Sequence, residues 1–400
     1  MITEISFDNF KCLSKKGPFY LSKLNVFSGY NGRGKSSVMQ FLLMLSQSIR
    51  KDQNQIRKLH LNGDYVNLGD FDEIMTDDTG NDVSIEFKTN DPQIKEVQLS
   101  YQLSNEDIKI GLIDKCIINS IDYFDIAGGM NDVQNSSNKG RKDLFKTPPT
   151  ALTNLFQNIY YVSANRQGPV KYEDRQEVPE FLNVGAYGDR TINTMVAYKE
   201  LIKENMNVPG QDGEHKLSEL VNLWVEYIMN GGGLEVENDN AEGKHNSVLT
   251  VDFKFKDFPR TFNSYNVGFG YSYILSIVVT ALIAKPGSIV IVENPEAHLH
   301  PEAQLRLTEL LSKLSANGVQ VFIETHSEHI LNGFRITTLK DEFDINTSDI
   351  SIYFFDRDFS IKHLKVLPNG KIPNWPKGFF NQFETEMSQI ITLGSKVICK

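Results

Sequence analysis

Apolar residues in this chain occur in short runs separated by polar or glycine-containing turns, a pattern typical of strands mixed with medium-length helices. Lys15 to Pro18 predicts a turn between the first two strands, and the apolar run Val38 to Leu45 predicts a helix that ends near Arg50. The strands predicted near the start lie at residues 2–7, 19–21 and 24–27.

After this helix, the pattern predicts a mostly antiparallel β layer. Residues 83–88 and 96–103 have the alternation of strands, and further strands are expected between 108 and 124. The stretch from Ala127 to Lys146 is polar and contains glycine and paired serines, which predicts a flexible surface insertion.

A helical section follows the β layer. Ile159 to Val162 returns to the core as a strand, and helical spacing then runs from Thr191 to Glu204 and from Leu217 to Met229. A hairpin ending at Val248 to Phe255 comes next. Residues 60–260 contain no sustained heptads, which excludes a long coiled-coil arm within them.

Two apolar runs in the last third predict a parallel βαβ unit. Ile289 to Val292 and Val319 to Ile323 suit strands buried on both faces, and Glu302 to Ser315 has the spacing of a covering helix. The predicted fold class is therefore α/β, with a mixed central sheet, an antiparallel β layer and an inserted helical section. The predicted divisions are the first part of the core at 1–60, the β layer with its insertion at 61–185, the helical section and hairpin at 186–260, and the second part of the core at 261–400.

Composition narrows the class of protein. With 400 residues and 40% hydrophobic content, the chain can bury a large core. Cys12, Cys116 and Cys399 have no paired or metal-ligand spacing, which favours a reducing compartment. The chain has no run of membrane-span length and no charged-then-apolar leader, so we expect a cytoplasmic protein without a membrane partner. The net charge of −10 argues against uniform nucleic-acid coating but leaves room for a local basic groove that binds DNA.

A glycine-rich turn joins the third predicted strand to the first helix, and it reads G-Y-N-G-R-G-K-S. Free backbone N–H groups and the helix dipole favour an anion at such a turn. We expect the glycines to let the backbone approach phosphates, Lys35 to reach the outer two, and the Ser36 hydroxyl to bind Mg²⁺. The turn thus predicts ATP or GTP binding. Its candidate residues are Gly29, Asn31, Gly32, Arg33, Gly34, Lys35, Ser36 and Ser37.

Polar residues follow both strands of the predicted βαβ unit. Glu293 begins E-N-P-E-A-H-L-H-P after the first strand, and His326 lies in E-T-H-S after the second. The carboxyl ends of parallel strands meet at one edge of a sheet, where folds of this kind bind their ligands. Glu293 is therefore expected to support the metal and His326 to face the outermost phosphate. A satisfied core histidine is the alternative for His326.

A second segment of small residues, N-V-G-F-G-Y-S at 266–272, precedes an apolar helix predicted from Tyr273 to Ala284. Small residues at a helix start make a second anion site, so Gly268, Gly270 and Ser272 are candidate nucleotide contacts. In a head-to-tail homodimer, this segment of each copy can close over the ATP of the other copy. The alternative is that the two glycines only permit tight packing.

The order of these motifs resembles the ABC-class P-loop ATPases, specifically the branch related to the overcoming-lysogenization-defect proteins, with heads like those of structural-maintenance-of-chromosomes (SMC) proteins. V-N-L-G-D-F at 66–71, S-A-N-R-Q-G-P at 163–169 and W-P-K-G-F-F-N-Q at 375–382 resemble a bacterial subfamily of this branch that lacks the nuclease domain. The resemblance implies an ABC-type ATPase head that dimerises around two ATP molecules. It also implies a role in anti-phage defence or DNA maintenance, beside a nuclease partner.

One position departs from this resemblance. Most ABC-class ATPases have an aspartate for magnesium followed by a glutamate that polarises the attacking water, whereas this chain has Glu293 and Asn294. Asparagine can orient a water but cannot accept its proton, which predicts slow hydrolysis unless Glu296 takes that role. Glu296 follows Pro295 in a turn, so it can face either the site or the dimer seam.

Several other conspicuous residues have two interpretations. His298 and His300 have no cysteine nearby, and the resemblance treats H-L-H-P as structural, so zinc binding is not expected. Arg166 and Gln167 follow a buried strand, and they either touch phosphate or metal or only shape a turn. Trp375 and residues 379–380 predict a small satellite core, and a partner-docking patch is the alternative.

Three functions remain open from the sequence. The first is an ATPase that regulates a nuclease or toxin in bacterial anti-phage defence. The second is a DNA-repair or chromosome-maintenance ATPase, and the third is a nucleotide-gated scaffold with little hydrolysis, which Asn294 motivates. The chain after Ser327 is too short for a separate nuclease domain, so any cutting activity is expected in another polypeptide.

Overall fold

The computed structural model of the protein describes residues 1–53, 55–76, 80–123, 145–170, 172–175, 181, 183–239, 248–376 and 386–393. Nearly all of the predicted insertion at 127–146 lies outside these residues, as do Phe379, Phe380 and Cys399. In the described part of the chain, no helix is both long enough and apolar enough to cross a bilayer.

The strands are β1 (Ile2–Asp8), β2 (Lys16–Tyr20), β3 (Leu24–Gly29), β4 (Lys58–His60), β5 (Asp82–Thr89), β6 (Glu96–Leu103), β7 (Ile110–Ile118), β8 (Ile121–Asp122), β9 (Ile159–Val162), β10 (Glu173–Asp174), β11 (Gly232–Asp239), β12 (Val248–Phe255), β13 (Thr261–Asn263), β14 (Ile289–Glu293), β15 (Gln320–Glu324), β16 (Ile350–Phe355) and β17 (Ile361–Leu364). The helices are α1 (Lys35–Lys51), α2 (Phe71–Ile74), α3 (Thr150–Gln157), α4 (Thr191–Ala197), α5 (Leu217–Met229), α6 (Phe269–Ile283), α7 (Pro301–Ala316) and α8 (Glu328–Thr337).

The central sheet has six strands in the order β17-β16-β3-β15-β14-β9. All neighbouring pairs are parallel except β16 with β17, so the sheet is mixed, as predicted. Helices and a second sheet cover both of its faces, and every residue of β9 and β15 is buried, which explains their unbroken apolar runs. The strand register brings the carboxyl ends of β3, β14, β15 and β16 to one edge of the sheet. Gly29 pairs with Phe355, and Glu324 pairs with both Phe27 and Glu293.

The antiparallel layer is a seven-stranded sheet in the order β2-β1-β5-β6-β7-β4, with β8 beside β7. Its strands alternate as expected for a sheet with one buried face: Val83, Ile85 and Phe87 are buried. The predicted turn at Lys15 to Pro18 is wrong, because β2 already begins at Lys16. Proline has no N–H for the ladder, and it is tolerated here because β2 is an edge strand.

Helix α1 lies between the central sheet and the antiparallel layer. Phe41, Leu42, Leu43 and Met44 are all completely buried, although four consecutive residues of a helix point in all directions around it. A helix that is apolar all round is a buried helix. The glycine-rich loop is therefore attached to one of the most enclosed elements of the fold, which keeps its position fixed.

The helical section packs on the other face of the central sheet. Helix α5 has the predicted bounds, and the predicted hairpin is formed by β11 and β12. The helix predicted at Thr191 to Glu204 ends early, at Ala197, because the backbone then turns to pair with the start of α5: Leu217 N–H donates to the Leu201 carbonyl. Trp375 packs against this core under the guanidinium of Arg335. Residues 379–380 lie outside the described residues, so the satellite core stays a prediction.

Candidate functional site

The glycine-rich loop passes directly into α1, whose first residue is Lys35. Gly34 caps the helix with a φ of +98°, and Gly29 has a φ of +130°, a backbone conformation that favours glycine. A Cβ on Gly29 would also clash with the Phe355 carbonyl on the neighbouring strand. Asn31 and Gly32 are exposed at the tip of the loop. The backbone thus turns tightly over the start of a helix, as an anion-binding loop requires.

Lys35 is held inside this loop. Its Nζ donates to the carbonyls of Gly29 at 3.1 Å and Tyr30 at 2.9 Å, and its side chain is only 3% exposed. Burial lowers the pKa of Lys35, and the nearby Glu324 carboxylate opposes that shift. The two carbonyl bonds hold the ammonium under the loop. Its three N–H donors are then available for hydrogen bonds to phosphate oxygens.

Glu324, the last residue of β15, is the acidic residue beside Lys35, and the sequence analysis did not select it. Its Oε1 lies 4.0 Å from Lys35 Nζ. Burial raises the pKa of Glu324 to about 7, the Ser36 hydroxyl opposes the shift, and the charge of Glu293 adds to it. The signal that the sequence offered was a carboxylate at the end of a buried strand, and the tertiary structure adds that this strand is the neighbour of the loop strand.

Glu293 ends β14, the next strand along the sheet. Its Oε2 accepts a hydrogen bond from the Ala164 N–H at 3.2 Å. Burial raises the pKa of Glu293, while the Ala164 N–H, the Tyr161 hydroxyl and the charge of Arg166 oppose the shift. Tyr161 and Ala164 belong to β9 and the turn after it, on the side of β14 away from the loop strand.

Asn294 has a φ of +44°, and its N–H donates to the Glu324 carbonyl at 2.8 Å. Its backbone carbonyl accepts from Arg166 at 2.7 Å, and the same guanidinium donates to the carbonyls of Glu293 at 2.7 Å and Ser163 at 3.0 Å. Arg166 is buried, and its two terminal nitrogens donate to backbone carbonyls, whereas its Nε has no partner among the residues that the structure describes. This geometry supports the interpretation that Arg166 shapes the turn.

Glu296 and His326 lie in the turns that follow β14 and β15. The Glu296 carboxylate accepts from the Thr325 hydroxyl at 2.8 Å and from the His326 N–H at 2.7 Å. The His326 side chain is exposed above these bonds. Partial burial lowers the pKa of His326, the charge of Lys35 lowers it further, and Glu296 opposes both. A neutral imidazole beside the lysine can accept or donate one hydrogen bond.

The remaining loop candidates differ in exposure. Arg33 stacks its guanidinium over Phe359, with 4.3 Å from Cζ to the ring centroid, and its Nε is buried without a partner in the described part of the chain. Ser37 is buried inside the first turn of α1. Arg33 therefore packs on Phe359 outside the loop, and Ser37 packs inside the first turn of α1.

Gly268, Gly270 and Ser272 lie at the start of α6, against the H-L-H turn. A Cβ on Gly270 would come within 2.8 Å of the His298 carbonyl, so close packing accounts for this glycine. Gly268 has open space around it, and Phe269 beside it is 56% exposed. At Gly268 the helix therefore begins with open space and no side-chain cap, whereas Gly270 is packed against the His298 carbonyl.

The two histidines of the H-L-H turn have structural partners. His298 has a φ of +62°, and its ring packs 4.6 Å from Tyr273 and 5.6 Å from Phe269, measured between centroids. His300 caps α7, its Nδ1 accepting from the Glu302 N–H at 3.3 Å. Across the described residues, no cluster of three or more His, Cys, Asp or Glu side chains is arranged to hold a metal ion by itself.

The loop, both strand-end glutamates, Asn294 and the two turns all lie at the carboxyl edge of the central sheet. Glu324 Oε2 and Asn294 Oδ1 are buried there and have no hydrogen-bond partner among the residues that the structure describes. Unpaired buried oxygens beside a serine hydroxyl and a lysine are the hard donors that Mg²⁺ uses when phosphates and waters complete its shell. The residues present therefore fit a magnesium–nucleotide complex.

Comparison with known proteins gives two family matches. Residues 1–331 match a family described as AAA ATPase domain, and residues 345–390 match one described as protein of unknown function (DUF3696). No curated protein matches the chain.

The solved structures to which the chain is similar include SMC head domains. One is an SMC head bound to the C-winged helix domain of ScpA, with 12% identity, a TM-score of 0.49, and coverage of 91% of this chain and 98% of that one. Another is the SMC head from Thermotoga maritima, with 11% identity, a TM-score of 0.43, and coverage of 92% and 99%. A third is the Smc head with an extended coiled coil, bound to the C-terminal domain of ScpA, from Pyrococcus furiosus, with 11% identity, a TM-score of 0.47, and coverage of 91% and 96%.

The solved structures share little sequence with this chain, and they carry no information about what it binds. The family match is different, because it spans residues 1–331 of 400 and contains the loop, the acidic strand and His326. The chain therefore belongs to the AAA ATPase domain family, and it is an ATPase.

Proposed function

We propose that this protein binds Mg·ATP at the carboxyl edge of its central sheet and hydrolyses it slowly, and that two copies assemble around the nucleotide to control a partner protein. The observation that supports nucleotide binding most directly is the buried ammonium of Lys35, held under a glycine-rich turn by two loop carbonyls. We expect Lys35 to exchange those bonds for bonds to phosphate oxygens, because its ammonium carries three donors.

The chain's own groups divide the tasks of binding. Loop N–H groups and Lys35 hold the phosphates, and Ser36 with the carboxylate pair Glu293 and Glu324 would hold Mg²⁺. When bound, Mg²⁺ supplies positive charge next to the oxygens on which negative charge develops during phosphoryl transfer. The imidazole of His326, which is exposed and feels the charge of Lys35, is proposed to contact the outermost phosphate.

Slow hydrolysis is part of the proposal because no free carboxylate follows Glu293. Asn294 can orient a water through its unpaired Oδ1, but an amide does not take a proton. Both oxygens of Glu296 already accept hydrogen bonds, from Thr325 and from His326, so this carboxylate positions the second turn. The same observation favours a second candidate function, a nucleotide-gated scaffold in which binding alone carries the signal.

For assembly, the open helix start at Gly268 is proposed to close over the nucleotide of a second copy. Its N–H groups have no side-chain cap, and Gly268 leaves room for a ligand to approach. The controlled partner is proposed to be a nuclease or toxin of an anti-phage system, on the strength of the family resemblance in the sequence. A role in DNA maintenance is the competing outcome.

Analytical ultracentrifugation with and without a non-hydrolysable ATP analogue tests the assembly, and single-turnover hydrolysis tests the chemistry. A nucleotide-dependent doubling of mass together with slow turnover is expected. Unchanged mass would reject the homodimer around ATP, and no turnover over hours would leave the scaffold as the function. Co-purification with the products of neighbouring genes, with and without ATP and DNA, identifies the partner.

A further inference from the structure

We propose that a cavity at the far end of α1 binds a small organic anion that carries a flat aromatic or heterocyclic ring. The cavity lies where the last residues of α1 meet the β4 edge of the antiparallel sheet, and Lys51 and Lys58 are among its lining residues. This inference goes beyond the proposed function, because the site is separate from the nucleotide loop and does not depend on what that loop binds.

The cavity has the size of a small-ligand site. Its volume is about 580 Å³, and pockets for small molecules measure about 300–1,000 Å³. Its lining comes from the end of α1, the chain that leads into β4, the end of β6 and the start of β7. Helix α1 has 17 residues, and at about 1.5 Å per residue its two ends are about 25 Å apart. A small ligand in this cavity therefore does not reach the phosphate loop, which precedes Lys35 at the other end of the helix.

One wall of the cavity is apolar, and strand register shapes it. Leu112 on β7 pairs with Lys58 on β4 and with Gln102 on β6, so the three residues share one face of the sheet. Beside them, the guanidinium of Arg57 lies over the ring of Phe145, with 5.2 Å from Cζ to the centroid. Aliphatic side chains and guanidinium planes both pack against flat rings. This wall therefore favours a ligand with an aromatic or heterocyclic part.

The charge of the lining favours an anion. The side chains of Lys51 and Lys58 make no hydrogen bond or ion pair in the described part of the chain. Asp52, which follows Lys51, directs one carboxylate oxygen to His60 instead, with 3.0 Å between Oδ1 and Nε2. Lysine ammonium groups form charge-assisted hydrogen bonds with phosphate, sulfonate and carboxylate groups. An anionic group in the cavity therefore gives the two lysines the partner that the described residues do not supply.

Four carboxamides complete the lining, and their side chains have no hydrogen bond among the residues that the structure describes: Gln53, Gln55, Gln102 and Asn105. Each carboxamide offers an acceptor oxygen and two donor N–H groups, which suits polar atoms at the edge of a ring. Nucleic acid fits this corner less well, because a duplex is held by a row of cations along its phosphates. The combination of apolar wall, carboxamides and two lysines therefore favours a small anion.

Fluorescence titration with anilinonaphthalene sulfonate tests the site on the full chain, because this probe joins aromatic rings to a sulfonate. The titrations are made at low salt, with and without saturating Mg²⁺ and the non-hydrolysable ATP analogue AMP-PNP. We expect one saturable site in the wild-type protein. AMP-PNP should change the dissociation constant of the probe by less than about twofold, because the cavity and the phosphate loop lie at opposite ends of α1.

Two variants test the wall and the charge separately. Leu112→Glu places a carboxylate on the apolar wall and should raise the dissociation constant of the probe by about tenfold or more. The double variant Lys51→Gln with Lys58→Gln should raise it by about threefold or more at low salt and by less at high salt, since exposed charges interact weakly and are screened. Leu367→Glu and Lys23→Gln, at partly exposed residues outside the cavity, are the matched controls.

The proposal would be overturned by the absence of saturable binding, by equal losses in the control variants, or by an unchanged affinity in the double lysine variant. Displacement of the probe by AMP-PNP would place the probe at the nucleotide loop and would also overturn it. A short DNA duplex is titrated in parallel, and lysine-dependent binding of the duplex with unchanged probe affinity would assign the corner to nucleic acid instead. Thermal melting checks folding. If Leu112→Glu does not fold, Leu103→Glu, at an exposed position of the same lining, replaces it with the same expectation.

Discussion

The carboxylate of Glu296 accepts a hydrogen bond from the backbone N–H of His326 at 2.7 Å, and this bond joins the turn after β14 to the turn after β15. A second bond, from the Thr325 hydroxyl at 2.8 Å, uses the other carboxylate oxygen. The arrangement holds the histidine turn in place relative to the acidic strand. Glu296 can thus influence the proposed nucleotide site by fixing the backbone of His326.

From this relationship we expect Glu296→Ala and His326→Ala to have non-additive effects. If Glu296 acts by positioning His326, the double variant should lose little more single-turnover rate than either single variant, with a coupling energy of about 1 kcal/mol or more. Glu296→Gln, which keeps one acceptor oxygen, should lose less rate than Glu296→Ala. Additive losses, or a Glu296→Gln variant as slow as the alanine variant, would indicate that the carboxylate itself accepts a proton.

Replacing Lys35 should weaken nucleotide binding strongly. Hydrogen bonds to charged groups contribute about 1.5–3 kcal/mol each, so Lys35→Met should raise the dissociation constant for AMP-PNP by about tenfold to a hundredfold. Methionine keeps most of the buried volume, which separates the loss of charge from a cavity effect. Lys23→Met is the control, since this lysine lies away from the loop, pairs with Asp349 and has a side chain that is 41% exposed. Equal affinities for the two variants would contradict the role of Lys35.

The stability of the metal-free protein should depend on pH through Glu324. Its pKa is raised from 4.5 to about 7, so between these values the folded state keeps a proton that the unfolded state has released. Stability therefore falls as pH rises through this window, by up to about 3 kcal/mol for this group. Glu324→Gln removes the ionisable group, so its stability should fall less and should exceed that of the wild-type protein at pH 8.

Guanidinium unfolding in EDTA at pH 5, 6, 7 and 8 measures this difference, because groups remote from residue 324 titrate equally in both proteins. Parallel stability curves would show that Glu324 titrates at its ordinary pKa in the folded state. A wild-type protein that gains stability relative to Glu324→Gln with rising pH would show that the carboxylate is stabilised in its charged form.

The two glycines at the start of α6 should respond differently to alanine. A Cβ on Gly270 would lie 2.8 Å from the His298 carbonyl, so Gly270→Ala should lower stability by about 1–3 kcal/mol. Gly268→Ala has open space and should change stability by about 1 kcal/mol or less. If Gly268 closes on the nucleotide of a second copy, Gly268→Ala should nevertheless weaken the AMP-PNP-dependent dimer in sedimentation. Unchanged dimerisation would argue that this glycine has no role at the seam.

Much of this protein follows from local sequence. Residues 24–36 contain a buried strand, glycines at positive φ and a helix that begins at Lys35, and each of these depends on residues only a few positions apart. The acidic strand and the E-T-H-S strand were predicted from unbroken apolar runs, because a strand buried on both faces tolerates few polar residues.

Only the tertiary structure decided that Glu324, and not Glu293, lies beside Lys35 of the loop. An apolar run shows that a strand is buried, but it does not show which parallel strand is its neighbour, since that depends on contacts between residues hundreds of positions apart. Here β15 lies between β3 and β14, which brings Glu324 to Lys35 and leaves Glu293 facing Tyr161. The sequence determined the elements and the chemistry available at their ends, and long-range packing determined which of those ends meet.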